Sequence, residues 1–202
     1  MGWEKLDGWS GEDVHEVQLR GVANARRGEA LIEVGVAYGR SLARLARAAI
    51  DSGKGLPVIG VDAWKHDPAI AFGGGEERTA RVNASGGYLE DCMRGMSLEC
   101  NEEHATICYW QATSVDAARG LATSALTEVG IAFVFVDADH SYGSVRADIA
   151  AWLPLVRPGG IISGHDLNVE FPGVRQAVEE AFGSDFEHIG DCWLHVVKER
   201  KS

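Results

Sequence analysis

The chain has 202 residues, enough for one domain with a buried core around a central sheet. Its formal net charge of -11, from 19 basic and 30 acidic residues, argues against a nucleic-acid partner, which requires clustered lysine and arginine. No apolar run approaches the length of a membrane span, the first residues are too polar for a signal peptide, and the four cysteines form no C-x-x-C pair, so we expect a cytoplasmic protein without disulfides or structural zinc.

Apolar runs typical of strands alternate with amphipathic segments typical of helices, which indicates a parallel α/β sheet. The first predicted helix covers residues 11–26. Helices are also predicted over Ser41–Ala49 and Val145–Leu155, where apolar residues recur at helical spacing. The five predicted parallel strands are Ala30–Val34, Pro57–Asp62, Ala105–Trp110, Ile131–Asp137 and Ile161–Ser163.

The end of the chain departs from the parallel pattern. A predicted helix, Val174–Phe182, precedes two predicted strands, Phe186–Ile189 and Cys192–Val197, joined by Gly190-Asp191. A link of two residues permits only an antiparallel hairpin. The predicted fold class is therefore α/β, a Rossmann-like doubly wound sheet of seven strands, mostly parallel with a C-terminal antiparallel hairpin and with helices on both faces.

A long insert separates the second and third predicted strands. It spans residues 63–104 and contains two glycine-rich stretches. Insertions of this length in compact domains are usually functional lids or binding segments. We therefore predict a single domain over residues 1–202, with the insert as its lid.

The loop after the first strand has the spacing Glu33-x-Gly35-x-x-x-Gly39. Glycine allows sharp backbone turns and lets a ligand approach where a Cβ atom would clash. Ser41 is expected to cap the next helix, leaving amide groups that favour a carboxylate or phosphate. A dinucleotide loop reads G-x-G-x-x-G, so the wider spacing here suits a ligand without a diphosphate. An ordinary strand-to-helix turn has the same spacing.

Asp62 ends the second strand. A carboxylate at this position of such folds can accept hydrogen bonds from both ribose hydroxyls, although acidic residues at strand ends are also common as caps or turn residues. The glycine loop, the acidic residue and the terminal hairpin together are more specific than any one of them.

With Gly60-Val61-Asp62, the segment from Glu33 to Ser41 resembles the small-molecule O-methyltransferases, including the catechol and caffeoyl-CoA O-methyltransferases, within the class I S-adenosylmethionine-dependent methyltransferases. The resemblance implies that Glu33, Gly35 and Ser41 surround the methionine part of the cofactor, with Gly39 in the same loop. It implies that Asp62 binds the ribose.

The resemblance extends to the third strand and to the adenine. Ala112 and Thr113 follow this strand, at the point where the family contacts the adenine. Asp137, which ends the fourth strand, is expected beside the cofactor as well.

Acidic and imidazole side chains follow two adjacent strands. Ligands in open α/β sheets bind at the carboxyl ends of the strands, so we expect these side chains to converge on one crevice. There the acids either offset the charge of the sulfonium cofactor or hold a divalent cation. The residues are Asp137, Asp139, His140, His165 and Asp166.

The metal-dependent O-methyltransferases hold a cation with an acid after the fourth strand and an adjacent pair after the fifth. Asp137 matches the first position, and His165 with Asp166 matches the pair, so the resemblance implies that these residues bind Mg²⁺ or Mn²⁺. His140 falls where the catechol enzyme has its lysine base. Residues 135–166 also resemble a bacterial and phage methyltransferase family with the pattern D-x-D-H-x-Y followed by P-G-G and H-D.

Several roles remain open at this crevice. Because His165 offers nitrogen where Mg²⁺ prefers oxygen, either it faces the substrate or the ion is Mn²⁺, Fe²⁺ or Zn²⁺. His140 is a candidate general base, since an unperturbed histidine has a pKa near ~6.5, but a supporting hydrogen-bonding role fits it equally well. Without a metal, His140 or His165 remains the base and Asp137 and Asp166 are structural.

The predicted function is methyl transfer from S-adenosylmethionine to a hydroxyl of a small-molecule acceptor. One alternative is a nicotinamide-dependent oxidoreductase, which the absence of G-x-G-x-x-G and the terminal hairpin disfavour. Another is a cofactor-binding protein without transfer activity. Trp3 and Trp9 either close the pocket or contribute to a homodimer contact, and neither nucleic acid nor membrane is an expected partner.

Overall fold

The computed structural model describes residues 2–8, 10–65, 80, 82, 84–124 and 126–199, with backbone only for residues 104, 105, 126 and 127. The prediction for Trp9 and much of the predicted lid lie outside the described residues. Among those residues, no helix is long and apolar enough to cross a membrane.

The described chain forms one sheet of seven strands in the order β3-β2-β1-β4-β5-β7-β6. β7 runs antiparallel to both of its neighbours, and the other pairs of neighbouring strands are parallel. This arrangement confirms the predicted fold class, including the terminal hairpin. The strands are β1 (Ala30–Val34), β2 (Val58–Asp62), β3 (Ile107–Gln111), β4 (Ile131–Val136), β5 (Val156–Gly164), β6 (Glu187–Ile189) and β7 (Cys192–Val196).

Eight α-helices flank the sheet in the described residues, and a short 3-10 helix (Trp3–Lys5) precedes them. Helices α3 to α6 were not predicted from the sequence; α4 and α6 are too short to show a helical repeat. The α-helices are α1 (Glu12–Asn24), α2 (Arg40–Asp51), α3 (Tyr88–Glu99), α4 (Asn101–Ala105), α5 (Ser114–Ala122), α6 (Leu126–Val129), α7 (Tyr142–Trp152) and α8 (Pro172–Phe182).

The central strands are buried on both faces, as their continuous apolar sequences indicate. Because successive side chains of a strand point to opposite faces, neighbouring residues enter different cores. Leu31 and Phe133 pack with α1 and α2, whereas Ile32 and Val134 pack with α5, α7 and α8. The sheet is therefore sandwiched between two helical layers.

Among the strands, two starts differ from the prediction by more than one residue. β5 begins at Val156, five residues before the predicted start, because the strand continues through Pro158. The pairing of β4 with β5 is irregular between Ile131 and Phe133, and a bulge of this kind accommodates a proline that cannot donate a hydrogen bond. β3 begins at Ile107 instead of Ala105, because α4 extends through Ala105.

The predicted lid contains α3, which buries Tyr88, Cys92 and Met96 in the core beside α2. This part of the insert is packed structure. A lid role therefore remains a prediction for the segment before α3.

The chain order of the strands reverses between β1 and β4. From β1 the sheet continues to β2 and β3 on one side and to β4 and β5 on the other. In doubly wound folds the crevice at this switch point, at the carboxyl edge of the sheet, is where ligands bind.

Candidate active site

Backbone strain is concentrated at the carboxyl edge of the sheet. The described non-glycine residues with positive φ are Ala37 (50°), Trp64 (44°) and Asp166 (59°), and they follow β1, β2 and β5. Left-handed backbone costs a non-glycine residue roughly 1–2 kcal/mol, and such conformations cluster at functional sites. The strained positions thus mark the edge where the sequence predicts the ligand.

Gly35 allows a close approach between two loops of this edge. Its φ is 88°, and a Cβ atom on it would lie 2.0 Å from the backbone oxygen of Asp137. Glycine is therefore required here by a neighbouring loop of the protein itself. The contact brings the glycine loop directly against the segment that begins the acidic cluster.

The prediction that Ser41 caps α2 is wrong. The N-cap residue is Gly39, whose φ of 90° suits glycine, and it makes no side-chain cap bond. Ser41 lies inside the first turn, where its hydroxyl donates to Glu33 Oε2 over 3.1 Å and accepts from Gln18 Nε2 over 2.9 Å.

Glu33 is buried, with 1% of its surface exposed, near the end of β1. Its Oε2 accepts hydrogen bonds from Ser41 and from Gln18, the latter at 3.3 Å, whereas Oε1 has no partner among the described residues. Burial, reinforced by the nearby charge of Asp137, raises the pKa of Glu33 well above its usual range despite the bonds from Ser41 and Gln18. The carboxyl group therefore holds a proton more strongly than an exposed glutamate does, and one of its oxygens has no partner among the described residues.

Gln18 was missed by the sequence reasoning, although the sequence contains a signal for it. Val14, Val17, Gln18, Gly21 and Val22 follow the helical spacing of an apolar stripe and are all buried on α1. An amide within such a stripe needs a buried partner. The structure identifies its partners as Glu33 and Ser41.

Asp62 holds the glycine loop in its turn. Its Oδ2 accepts from the backbone N–H groups of Val36 and Ala37, each at 2.9 Å, and its Oδ1 accepts from the N–H of Trp64 at 2.7 Å. A carboxylate has about four acceptor positions, and the described residues occupy three of them, which leaves one for a ligand hydroxyl. The indole of Trp64 donates to the carbonyl of Ala37 over 3.1 Å and closes the turn from the other side.

The residues predicted near the adenine follow β3, next to the end of β2. The N–H of Ala112 donates to the backbone oxygen of Asp62 over 2.9 Å. Thr113 is the N-cap of α5, where its hydroxyl accepts from the N–H of Asp116 and donates to the Asp116 carboxylate. The hydroxyl of Thr113 is thus engaged in capping, and an adenine contact by either residue remains a prediction.

Four of the five predicted acidic and imidazole residues converge. His140 Nε2 lies 2.9 Å from Asp166 Oδ2 and 3.7 Å from Asp137 Oδ1. His165 Nδ1 lies 3.4 Å from Asp166 Oδ1 and 3.9 Å from Asp137 Oδ1. The fifth, Asp139, is exposed and accepts a hydrogen bond from a backbone N–H at the start of α7, so it belongs to a turn.

The carboxylates strongly affect both histidines. Burial alone would lower the pKa of His140, but hydrogen bonds and charge from Asp137 and Asp166 outweigh it and raise the pKa to about 10. Burial likewise opposes a rise at His165, whose pKa Asp166 and Asp137 bring to about 9. In turn, the two imidazoles outweigh burial and lower the pKa of Asp166. At neutral pH, therefore, both rings are cationic and neither can accept a proton.

The cluster fits a divalent cation. Asp137, His140 and Asp166 each offer a ligand atom, and these atoms lie within 4.8 Å of one another. Two carboxylates and one imidazole form a mixed oxygen and nitrogen set of the kind that Mn²⁺, Fe²⁺ or Zn²⁺ accepts. His165 instead belongs to a second such group with Asp13 and Cys192.

Asp13 was also missed from the sequence. It lies on α1, and its Oδ2 is 3.9 Å from His165 Nε2 and accepts from the N–H of Asp191 over 2.8 Å. On the other side of the site, the ring of Phe171 packs edge-on against His140 with centroids 4.4 Å apart. One wall of the crevice is therefore aromatic.

The family model of a methyltransferase domain matches residues 32–167, which is more than half of the chain. The matched segment begins in β1 and ends one residue after Asp166, so it contains both the glycine loop and the acidic cluster. No curated protein sequence matches the chain.

Solved structures of O-methyltransferases share the fold. CalS11, the TDP-rhamnose 3'-O-methyltransferase of calicheamicin biosynthesis, is 18% identical with a TM-score of 0.61 over 93% of this chain and 80% of its own. The Bacillus cereus O-methyltransferase in complex with SAH is 17% identical, with a TM-score of 0.64 over 95% and 83%. TomG from Streptomyces achromogenes, in complex with SAM, is 16% identical with a TM-score of 0.63 over 95% and 82%.

The likeness to these structures confirms the predicted seven-stranded fold, and the family model confirms the class that the sequence resemblance indicated. The chain belongs to the methyltransferase domain family.

Proposed function

We propose that the protein transfers a methyl group from S-adenosylmethionine to a hydroxyl of a small-molecule acceptor, assisted by a divalent cation. The observation that carries this proposal is the single methyltransferase match over residues 32–167, which includes the glycine loop and the acidic cluster together. Because Gly35 brings these two segments into contact, a cofactor on the loop lies beside groups able to handle an acceptor hydroxyl.

The cofactor is proposed to bind along the ends of β1, β2 and β3. Glu33, Gly35, Gly39 and Ser41 surround its methionine part, and Asp137 lies beside it. The buried, unpartnered Oε1 of Glu33 supports this assignment, because an ammonium group supplies the donor that the described residues do not. The free acceptor position on the Asp62 carboxylate supports a ribose contact, and Ala112 and Thr113 are proposed at the adenine.

Asp137 and Asp166 are the proposed carboxylate ligands of the cation. The third ligand is a histidine: the family resemblance favours His165, whereas the distances favour His140, which lies 2.9 Å from Asp166. When bound, a divalent cation supplies Lewis-acid chemistry that lowers the pKa of a hydroxyl. A cation also matches the charge of the cluster, because the two carboxylates otherwise depend on protonated imidazoles.

The proposed general base is the histidine that does not ligate the cation: His140 where His165 is the ligand, and His165 where His140 is the ligand. A base must begin neutral, so the charge of Asp137 and Asp166 must be offset by something other than the proton of that ring. The neutral ring then takes the acceptor proton while the oxygen forms its bond to the methyl carbon and the sulfur–methyl bond breaks, leaving S-adenosylhomocysteine. The transfer is an in-line displacement, so the main task of the protein is to orient the oxygen.

The proposed acceptors are hydroxylated sugars or natural products. CalS11, which shares the fold, is a TDP-rhamnose 3'-O-methyltransferase, and the ring of Phe171 beside His140 suits a substrate with an apolar face. We further propose a cytoplasmic protein of one domain over residues 1–202. Residues 63–87 are its proposed lid, and a homodimer contact near Trp3 is part of the proposal.

Calorimetric titration with S-adenosylhomocysteine and with NADH separates the candidate functions. We expect binding of S-adenosylhomocysteine alone and, with Mn²⁺ present, methyl transfer to members of a panel of sugars and phenols. Binding of NADH alone would support an oxidoreductase. Tight binding of S-adenosylhomocysteine without transfer to any acceptor would support a cofactor-binding protein.

The metal proposal has a matched pair of variants. Asp166→Ala removes a proposed ligand, whereas Asp139→Ala removes an exposed carboxylate of the neighbouring turn. Titration with Mn²⁺, followed by electron paramagnetic resonance, should give affinity at least about tenfold weaker for Asp166→Ala and unchanged affinity for Asp139→Ala. Equal affinities in the two variants would remove Asp166 from the ligand set.

A further inference from the structure

Gln18 is a fully buried amide on α1, with 0% of its surface exposed. Its Nε2 lies 2.9 Å from Ser41 Oγ, 3.1 Å from the backbone oxygen of Ser41 and 3.3 Å from Glu33 Oε2. One amide group therefore links three elements, namely α1, the end of β1 and the first turn of α2.

The direction of these hydrogen bonds follows from the chemistry of the atoms. A backbone oxygen can only accept, so the group that faces Ser41 must be the amide nitrogen and not the amide oxygen of Gln18. The hydroxyl of Ser41 has one proton, which it donates to Glu33 Oε2, so it accepts from Gln18. The result is a directed relay from Gln18 through Ser41 to Glu33.

The relay leaves two acceptors unused. Glu33 Oε1 and Gln18 Oε1 are buried and have no hydrogen-bond partner within the part of the chain that the structure describes. Leaving a buried acceptor without a donor costs about 1–3 kcal/mol, so a fold optimised for stability alone would pair them. These two oxygens therefore point to a ligand that donates hydrogen bonds to the network.

We infer that Gln18 is a positioning residue of the cofactor site, which holds Glu33 and the first turn of α2 in the arrangement that receives the amino-acid end of S-adenosylmethionine. This inference rests on the proposed function. Gln18 acts through Glu33 and Ser41: it fixes Glu33 Oε2 and thereby the orientation of the whole carboxyl group. Its loss affects cofactor affinity and leaves the chemistry of transfer unchanged.

The variant Gln18→Met tests this role, because methionine has a similar length and no hydrogen-bonding nitrogen. We expect the Kd for S-adenosylhomocysteine and the KM for S-adenosylmethionine to rise about tenfold, while kcat at saturating cofactor stays within about twofold. The matched control is Val17→Ala, at an equally buried apolar position on the same helix. It should lower the free energy of unfolding while leaving both constants unchanged.

A double-mutant cycle with Ser41→Ala distinguishes the relay from independent packing effects. Because both residues act on Glu33 through one chain of hydrogen bonds, the double variant should bind S-adenosylhomocysteine no more weakly than the weaker single variant. Where Gln18→Met does not fold, Gln18→Asn, which retains the amide one methylene shorter, is measured in its place.

Wild-type affinity for S-adenosylhomocysteine in Gln18→Met, or multiplicative losses in the cycle, would overturn the inference and leave the proposed function intact. Absence of binding to the wild-type protein would overturn the proposed function, and the inference with it.

Discussion

Two buried glutamates lie at the two ends of β1, and their pKa values are shifted in opposite directions. Glu29, just before the strand, accepts from Arg157 Nε over 2.6 Å and from the N–H of Arg26 over 2.7 Å. These bonds outweigh the effect of burial and lower the pKa of Glu29. Glu33, four residues later, is buried with only the neutral partners Ser41 and Gln18 among the described residues, and its pKa is raised. Both oxygens of Glu29 accept hydrogen bonds, whereas one oxygen of Glu33 has no partner among the described residues.

The charged groups around Glu29 and around Glu33 also differ. Near Glu29, the ammonium group of Lys54 donates to the backbone oxygens of Val22, Ala23 and Ala25, so its charge is fully engaged. At the carboxyl end of β1, by contrast, the described partners of Asp137 and Asp166 are the imidazoles of His140 and His165. Among the described residues, the polar groups at the amino end of β1 are paired, whereas Glu33 Oε1 at the carboxyl end has no hydrogen-bond partner.

The largest expected change in the free energy of unfolding is that of Gly35→Ala, and Gly28, which has a similar backbone conformation at the other end of β1, is its control. Gly35 and Gly28 have φ of 88° and 82°, but only at Gly35 would a Cβ atom meet another group, the backbone of Asp137. Gly35→Ala should therefore cost at least about 3 kcal/mol of unfolding free energy, because strain and overpacking add. Gly28→Ala should cost only about 1 kcal/mol, from backbone strain alone. Urea unfolding measures both, and equal costs would contradict the close approach at Gly35.

The second effect concerns the ion pair of Glu29. Glu29→Gln leaves the half-buried Arg157 with a weakened partner, so we expect a loss of about 2–3 kcal/mol at pH 7. The folded pKa of Glu29 is below its usual 4.5, so its contribution is present above pH 4.5 and disappears as the pH falls through the folded pKa. The difference between wild type and variant should thus shrink in acid. A difference independent of pH would contradict the charged pairing.

The smallest effect, measured at pH 5, belongs to Glu33→Gln, because the raised pKa of Glu33 favours the protonated carboxyl group at that pH and the variant replaces it by a neutral amide. We expect a change within about 1 kcal/mol at pH 5. Because the folded pKa of Glu33 is raised above 4.5, the folded state holds the proton more strongly, and stability falls as the pH rises from 4.5 toward the folded pKa. The variant lacks this slope, so unfolding measured from pH 5 to 9 should favour it increasingly. Parallel curves would show that Glu33 is ionised.

The sequence predicts an element of the fold well when the residues that define it are neighbours in the chain. The bounds of β1 were predicted correctly because its apolar run ends in glycine, and the hairpin because two linking residues allow one geometry. Helices α3 to α6 were missed, since short or weakly periodic segments lack a helical signal. The start of β5 was missed because a proline is not expected inside a central strand, and Pro158 lies where the pairing of β4 with β5 is irregular.

The candidate site was likewise predicted only in part from the sequence. The convergence of Asp137, His140 and Asp166 was predictable because parallel strands bring their carboxyl ends to one edge. The capping role of Ser41 was wrong, since a left-handed glycine took that position. Gln18 could not be assigned a partner, because nothing in a single sequence relates a residue on α1 to one at the end of β1.

We propose that this carboxyl edge of the sheet holds S-adenosylmethionine beside a metal-binding cluster. Diffraction from crystals soaked with S-adenosylhomocysteine and Mn²⁺ tests it most directly. We predict the homocysteine end at Glu33 and Ser41, the ribose at Asp62, and an anomalous peak for manganese between Asp137 and Asp166. Ligand density away from the glycine loop, or manganese away from those carboxylates, would contradict the account.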